Sequence, residues 1–297
     1  MALFYMKKKI VIFNFTVGLV LLALALYSYL SSEFSTSTFT SKASDVSSTS
    51  DVPDFASIQD SKAKKMAFFA YLQPAYDRIT QEVLAERAQL IHLQGKIELS
   101  ADDLDLLQQL ATTYKVTADN NSALLAALLV RVDKLPEALV FSQSANETGW
   151  GTSRFARLGH NFFGQWCFSQ GCGIVPTQRE QGAGHEVASF KSIEASMRSY
   201  YRNINRHQTY APLRQIRAQL RLTEQPANAC ALAAGLINYS ARKEAYVAEI
   251  RSMICFNSNF WRDHDQMDYN LCAPPPKVAP TVAPGIASGC VVTDSGE

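Results

Sequence analysis

Ser144-Ala145-Asn146-Glu147-Thr148-Gly149-Trp150-Gly151 sets one carboxylate against a glycine-framed aromatic turn at the end of an apolar run. That run, Leu135-Pro136-Glu137-Ala138-Leu139-Val140-Phe141, reads as helix, with Pro136 tolerated in a first turn. Gly149 and Gly151 supply the backbone freedom that ends helices, so Glu147 falls in the last turn. A carboxyl held there against Trp150 would be desolvated, keep its proton near neutral pH and suit general-acid work. The plain alternative is a solvated glutamate before a helix C-cap. What decides between them is the rest of the chain.

Upstream, Phe69, Leu72, Tyr76, Ile79, Val83 and Leu90 repeat at helical spacing within Met66–Leu93. Ser100 caps a helix carrying Asp102 and Asp103 in its first turn, and Asn121 or Ser122 opens another through Val132. Downstream, Ile174-Val175 and Val187-Ala188-Ser189-Phe190 flank a turn containing Gly182 and Gly184, the pattern of a short hairpin. Helix returns from Ser192 to Leu222, broken near Pro212, and from Leu232 to Met253, interrupted around Asn238-Tyr239-Ser240. The expected class is mainly α (α+β), with a small β-hairpin lobe.

The N-terminus reads differently. Lys7-Lys8-Lys9 precede Ile10–Ser32, a run that carries no charge. About 20 apolar residues cross a bilayer, and lysines on the near side keep that end inside. A cleaved signal peptide is the rival, since Ala23-Leu24-Ala25 has a small-x-small pattern, but that site lies within the apolar run. Serine and threonine dominate positions 31–50 and make a flexible spacer, and the proline-rich stretch after Cys272 reads as a non-globular tail. The net charge of +1, without a basic stripe, argues against a nucleic-acid partner. Six cysteines, all beyond the apolar run, fit an oxidising exterior. Cys167/Cys172, Cys230/Cys255 and Cys272/Cys290 are natural pairs, although six cysteines allow 15 connectivities. A zinc site on Cys167, Cys172 and His160 or His185 lacks a second cysteine pair, so no metal is expected.

Ser142–His207 resembles the catalytic segment of bacterial N-acetylglucosaminidases of glycoside hydrolase family 73, in the lysozyme-like superfamily, and most of all its Bax-type members. The resemblance rests on Glu147-Thr148-Gly149-Trp150-Gly151, Phe155-Ala156 and Asn161-Phe162-Phe163-Gly164, then Phe190-Lys191-Ser192, Ser196 and Tyr200, and finally Tyr239-Ser240 and Tyr246. Cys172-Gly173-Ile174-Val175-Pro176, His185-Glu186-Val187 and Arg202-Asn203-Ile204-Asn205 carry the Bax-type likeness. It implies a lysozyme-like helical domain with Glu147 as general acid and a second carboxylate further along the chain, on the hairpin. Glu180 and Glu186 both stand at a distance from Glu147 that qualifies, so spacing does not separate them. Glu186 is favoured, Glu180 follows, and assistance from the substrate's acetamido group is the third option. Tyr239 and Tyr246 correspond to tyrosines lining the cleft, though Ala241-Arg242-Lys243-Glu244 replaces the family's Thr-Asp-Pro between them. Trp150, Phe163 and Asn161 are further substrate-binding candidates, with packing roles as their alternative.

These readings divide the chain into a cytoplasmic N-terminus (1–9), a transmembrane signal anchor (10–32), a Ser/Thr-rich linker (33–57), a helical front (58–134), a glucosaminidase-like domain (135–262) and a Pro-rich tail (263–297). The expected protein is a single-pass bacterial inner-membrane hydrolase facing the periplasm. It would cut β-1,4 bonds after N-acetylglucosamine in peptidoglycan and need no cofactor. A lytic transglycosylase and a non-catalytic glycan-binding or scaffolding module are the alternatives.

Overall fold

The computed structural model describes residues 52–177, 184–262 and 268–272. The expected membrane span, most of the linker, Glu180 and the stretch after Cys272 lie outside them. Among the described residues, no helix is long and apolar enough to cross a membrane.

Helix α1 (Ser61–Gln94) starts where the Asp60 side chain accepts the Ala63 N–H at 2.7 Å. It is the spine of the fold. Phe69 stacks on Phe141 with centroids 5.7 Å apart, Tyr76 donates to the Leu135 carbonyl at 2.9 Å, and Thr80 meets the Tyr201 hydroxyl at 2.9 Å. α2 (Ala101–Tyr114) opens on a capping box, the Ser100 N–H donating to Asp103 Oδ2 at 2.9 Å while Ser100 Oγ accepts the Asp103 N–H. Hydrogen bonds from Lys96 and Ser100 hold the Asp103 carboxyl down at about 2. α3 (Asn121–Arg131) is capped by Asn120, one residue earlier than expected, its carboxamide accepting the Ala123 N–H at 2.9 Å.

α4 (Glu137–Thr148) is buried on every face from Ala138 to Ala145, because α1, α8 and α9 surround it. The short α5 (Arg154–Gly159) leads to a three-stranded sheet of β1 (Trp166–Cys167), β2 (Gly173–Ile174) and β3 (Glu186–Ala188). Its order is β1-β3-β2, both pairings antiparallel, with Cys167 opposite Glu186 and Gly173 opposite Ala188. The β2–β3 hairpin agrees with the sequence reading, whereas β1 is an addition. α6 (Ile193–Arg206) and α7 (Ala211–Leu222) are separated by a 3-10 turn at Gln208–Tyr210. The break thus precedes Pro212, which sits in the first turn of α7 where no N–H is needed. α8 (Ala229–Ala233) and α9 (Glu244–Phe256) close the body, separated by the expected interruption around Tyr239.

One hydrophobic cluster runs from Phe55 and Phe68 through Phe141 and Phe162 to Ile250 and Trp261, so the front helices and the later segment share a core. Beneath α3 a polar knot fixes the turn into α4. The fully buried Arg217 donates to the carbonyls of Val130, Arg131, Asp133 and Lys134, and Arg221 pairs with the Asp133 carboxylate at 2.6 Å.

The disulfides are Cys167–Cys172, as expected, and Cys230–Cys272, which replaces both remaining expected pairs. Cys230 lies on α8 against Tyr269–Cys272, while Cys255 is exposed on α9 as a free thiol. Tyr269–Cys272, placed in the tail from sequence, is therefore bound to the folded body.

Candidate active site

Glu147 occupies the last turn of α4, where the expectation placed it. Gly149, Trp150 and Gly151 follow with φ of 54°, 62° and 78°, three consecutive left-handed residues. For a tryptophan this costs roughly 1–3 kcal/mol, so the surroundings must impose it. They do: the indole packs edge-on against Phe68 at 5.7 Å and Phe69 at 5.6 Å, and Lys65 Nζ lies 5.2 Å from its ring. Thr148 closes the turn, its hydroxyl donating to the Ser144 carbonyl at 2.6 Å and accepting the Gly151 N–H at 2.9 Å.

The partner of the Glu147 carboxyl is a phenol. Tyr246 on α9 donates to Glu147 Oε1 at 2.9 Å. Burial raises the Glu147 carboxyl above the ordinary range, with Glu249 pushing the same way; the Tyr246 hydrogen bond and Arg242 oppose it. A proton is therefore retained to higher pH than on a free glutamate, as an acid catalyst requires. The other oxygen, Oε2, lies over Gly164, where φ is 60° and a Cβ would come within 2.8 Å of it. Among the described residues no hydrogen bond reaches Oε2.

Two stacked aromatic pairs frame the carboxyl. Tyr239 lies parallel to Tyr246 at 5.4 Å, Phe163 parallel to Tyr200 at 4.1 Å, and the Tyr239 hydroxyl joins them by donating to the Phe163 carbonyl at 2.7 Å. Tyr246, Tyr239 and Phe163 thus converge on Glu147, even though the segment before Tyr246 departs from the family pattern. That departure contributes a residue: Arg242 lies 5.8 Å from the Tyr246 ring and pairs with Glu249 at 2.5 Å. Tyr246 and Phe163 are both 1% exposed and Asn161 is 2% exposed, so these three support the site from beneath. Asn161 donates to the carbonyls of Gln165 and Ala188, both at 2.8 Å, and so ties the Glu147-facing loop to β3. Tyr239 is only half-buried and is the one of these aromatics that keeps a surface for ligand.

Glu186 has other partners. It is 5% exposed, and its two oxygens accept the Gly171 N–H at 3.0 Å and the Gly173 N–H at 2.8 Å. These bonds anchor the loop closed by Cys167–Cys172, beside β2. The two sulfurs near Glu186 are bonded to each other, so the one cluster of metal-ligand type among the described residues has no thiolate to offer.

Two residues to which the sequence reading gave no role complete the centre. Gln143, one turn before Glu147 on α4, donates to the Tyr246 oxygen at 3.0 Å and accepts from the Tyr200 hydroxyl at 2.5 Å. The signal was a carboxamide, a residue that prefers water, inside a run otherwise fit for burial. Gly164 was quoted only as the end of a motif.

Residues 124–258 match the family model described as glucosaminidase, mannosyl-glycoprotein endo-beta-N-acetylglucosaminidase. The chain is 32% identical over 199 residues to a protein of Escherichia coli (strain K12) called protein bax, covering 66% of this chain and 71% of that one. The chain belongs to the glucosaminidase family. Within the family it is a Bax-type member, and the matched segment holds Gln143, Glu147, Gly164, Tyr239 and Tyr246. No solved structure gives a significant match.

Proposed function

We propose that the protein is an endo-β-N-acetylglucosaminidase that hydrolyses the β-1,4 bond after N-acetylglucosamine in peptidoglycan, with Glu147 as general acid. The observation that carries this is the Glu147 carboxyl, pushed up by burial and, among the described residues, hydrogen-bonded through one oxygen only. Its proton passes to the glycosidic oxygen as the bond to the anomeric carbon breaks; water then adds its oxygen to that carbon and gives up a proton, which restores the Glu147 carboxyl. Tyr239 offers a face and edge for the sugar. We place the domain outside the cytoplasm, held by residues 10–32; the two disulfides support an oxidising compartment.

We assign charge stabilisation to Glu180 or to the substrate's own acetamido oxygen, and to Glu186, whose oxygens accept two backbone amides, the bracing of the hairpin. The same engagement favours a second reading, a lytic transglycosylase, which works with one carboxylate. Mass spectrometry of glycan ends after incubating purified protein with peptidoglycan separates the two. New reducing N-acetylglucosamine ends, lost in Glu147→Gln, are expected. Anhydromuramic ends would move the assignment to the transglycosylase, and undiminished cleavage by Glu147→Gln would remove the acid role.

A further inference from the structure

We infer that Gln143 and Tyr200 are positioning residues that act through Tyr246 to fix which oxygen of Glu147 carries the transferable proton. This rests on Glu147 being the acid. The structure supplies a continuous line of donors: the Tyr200 hydroxyl to Gln143 Oε1 at 2.5 Å, Gln143 Nε2 to the Tyr246 oxygen at 3.0 Å, and the Tyr246 hydroxyl to Glu147 Oε1 at 2.9 Å. Its polarity follows from its end. An ionised carboxylate only accepts, so Tyr246 must donate to it. The Tyr246 oxygen then takes the Gln143 amide N–H, which turns the Gln143 carbonyl toward Tyr200. Each member has one role open to it.

Turning the Gln143 amide round by itself would set its N–H against the Tyr200 hydroxyl and its carbonyl against the Tyr246 oxygen in a fully buried place, since Gln143 and Tyr200 are both 0% exposed. An unmade hydrogen bond there costs about 1–3 kcal/mol, enough to hold one arrangement. Both phenols keep their protons throughout the working range. Burial raises Tyr200 and Tyr246 well above the usual phenol value, and the Glu147 charge adds to it in both. With Oε1 always receiving the Tyr246 proton, the acid's own proton resides on Oε2, over Gly164. The absence of a Cβ at residue 164 leaves room for that oxygen. The relay thus aims the acid as well as tuning it.

Other groups also bear on Glu147. Arg242 and Glu249 act on it from the α9 side with opposite signs, and its charge is felt by Tyr239 and Tyr210. None of these lies on the Tyr200–Gln143–Tyr246 line, so their effects should persist when the line is cut.

The test is the side-chain carboxyl titration of Glu147 by carbon NMR, in wild type, Tyr246→Phe, Gln143→Met, Tyr200→Phe and the Gln143→Met/Tyr246→Phe double variant. Tyr246→Phe removes the hydrogen bond that lowers Glu147, so its titration should move upward. Gln143→Met, and to a smaller extent the near volume-conserving Tyr200→Phe, should move it the same way. The double variant should titrate like Tyr246→Phe alone, because Gln143 works only through Tyr246. On peptidoglycan, Gln143→Met should lower kcat by about tenfold with KM unchanged, less than the ~10²–10⁴-fold a general acid supplies. Wild-type titration in both Gln143→Met and Tyr200→Phe, with only the melting temperature reduced, would make these residues packing and overturn the inference, as would additive shifts in the double variant. Glu147→Gln tests the acid reading separately: if it still cleaves the polymer, that reading fails while the titrations still report on the relay.

Discussion

At the residue scale, Glu147 is tuned by contacts that sequence reveals only in part. Its place on a helix end followed from Gly149 and Gly151, but its partner did not. The apolar neighbour read from sequence was Trp150, close by in the chain, whereas the group on the carboxyl is Tyr246, 99 residues away. Long-range pairing leaves no periodic trace. Burial of Glu147 makes its ionisation costly to the fold, which predicts a pH dependence. A carboxyl raised in the folded state binds its proton more tightly there than in the unfolded chain. Its contribution to stability is therefore complete at acid pH and is lost as pH rises from the ordinary carboxylate range through the raised value. Glu147→Gln should melt with wild type in acid and above it near neutrality, in denaturation followed across that range. A difference independent of pH would mean that Glu147 ionises without cost.

At the element scale the helices and the β2–β3 hairpin were legible and β1 was not. Thirty-four residues of α1 repeat their apolar pattern many times over, and Ser100 and Asp103 mark the start of α2 by a side-chain bond that two residue types suffice to announce. The two residues of β1 carry no period at all. The same small size explains Glu186. A sheet whose strands are two or three residues long buries little apolar surface, so its lobe is held by a disulfide and by a carboxylate on two amides. Glu186→Gln should lower stability by about 1–3 kcal/mol, since its amide nitrogen would face an N–H donor. Below its melting range it should keep much of the wild-type kcat, far from the ~10²–10⁴-fold loss on removing a group that joins in the chemistry. Glycan release by folded Glu186→Gln, compared with Glu147→Gln, decides whether Glu186 braces the hairpin or acts on the bond.

At the scale of the whole molecule, one core spans the front helices and the glucosaminidase segment, and α1 supplies the rings that hold Trp150 in its left-handed turn. That cysteines would be oxidised was legible in the chain, but their partners were not, because pairing depends on where α8 meets Tyr269–Cys272. Cys230–Cys272 spans 42 positions, and restricting a loop of that size in the unfolded chain stabilises by about 2–4 kcal/mol. Cys230→Ala/Cys272→Ala should show that loss in urea denaturation; an unchanged midpoint would mean that the link constrains nothing. This bond also makes a covalent ring, and the ring contains α9 with Tyr246. Arg242, Lys243 and Glu244 stand exposed on its rim, a natural target for a trypsin-like protease. A cut there opens the circle without freeing either piece: the severed α9 stays tethered through Cys272 beside the helix that bears Glu147, and only a reductant would let the two fragments part.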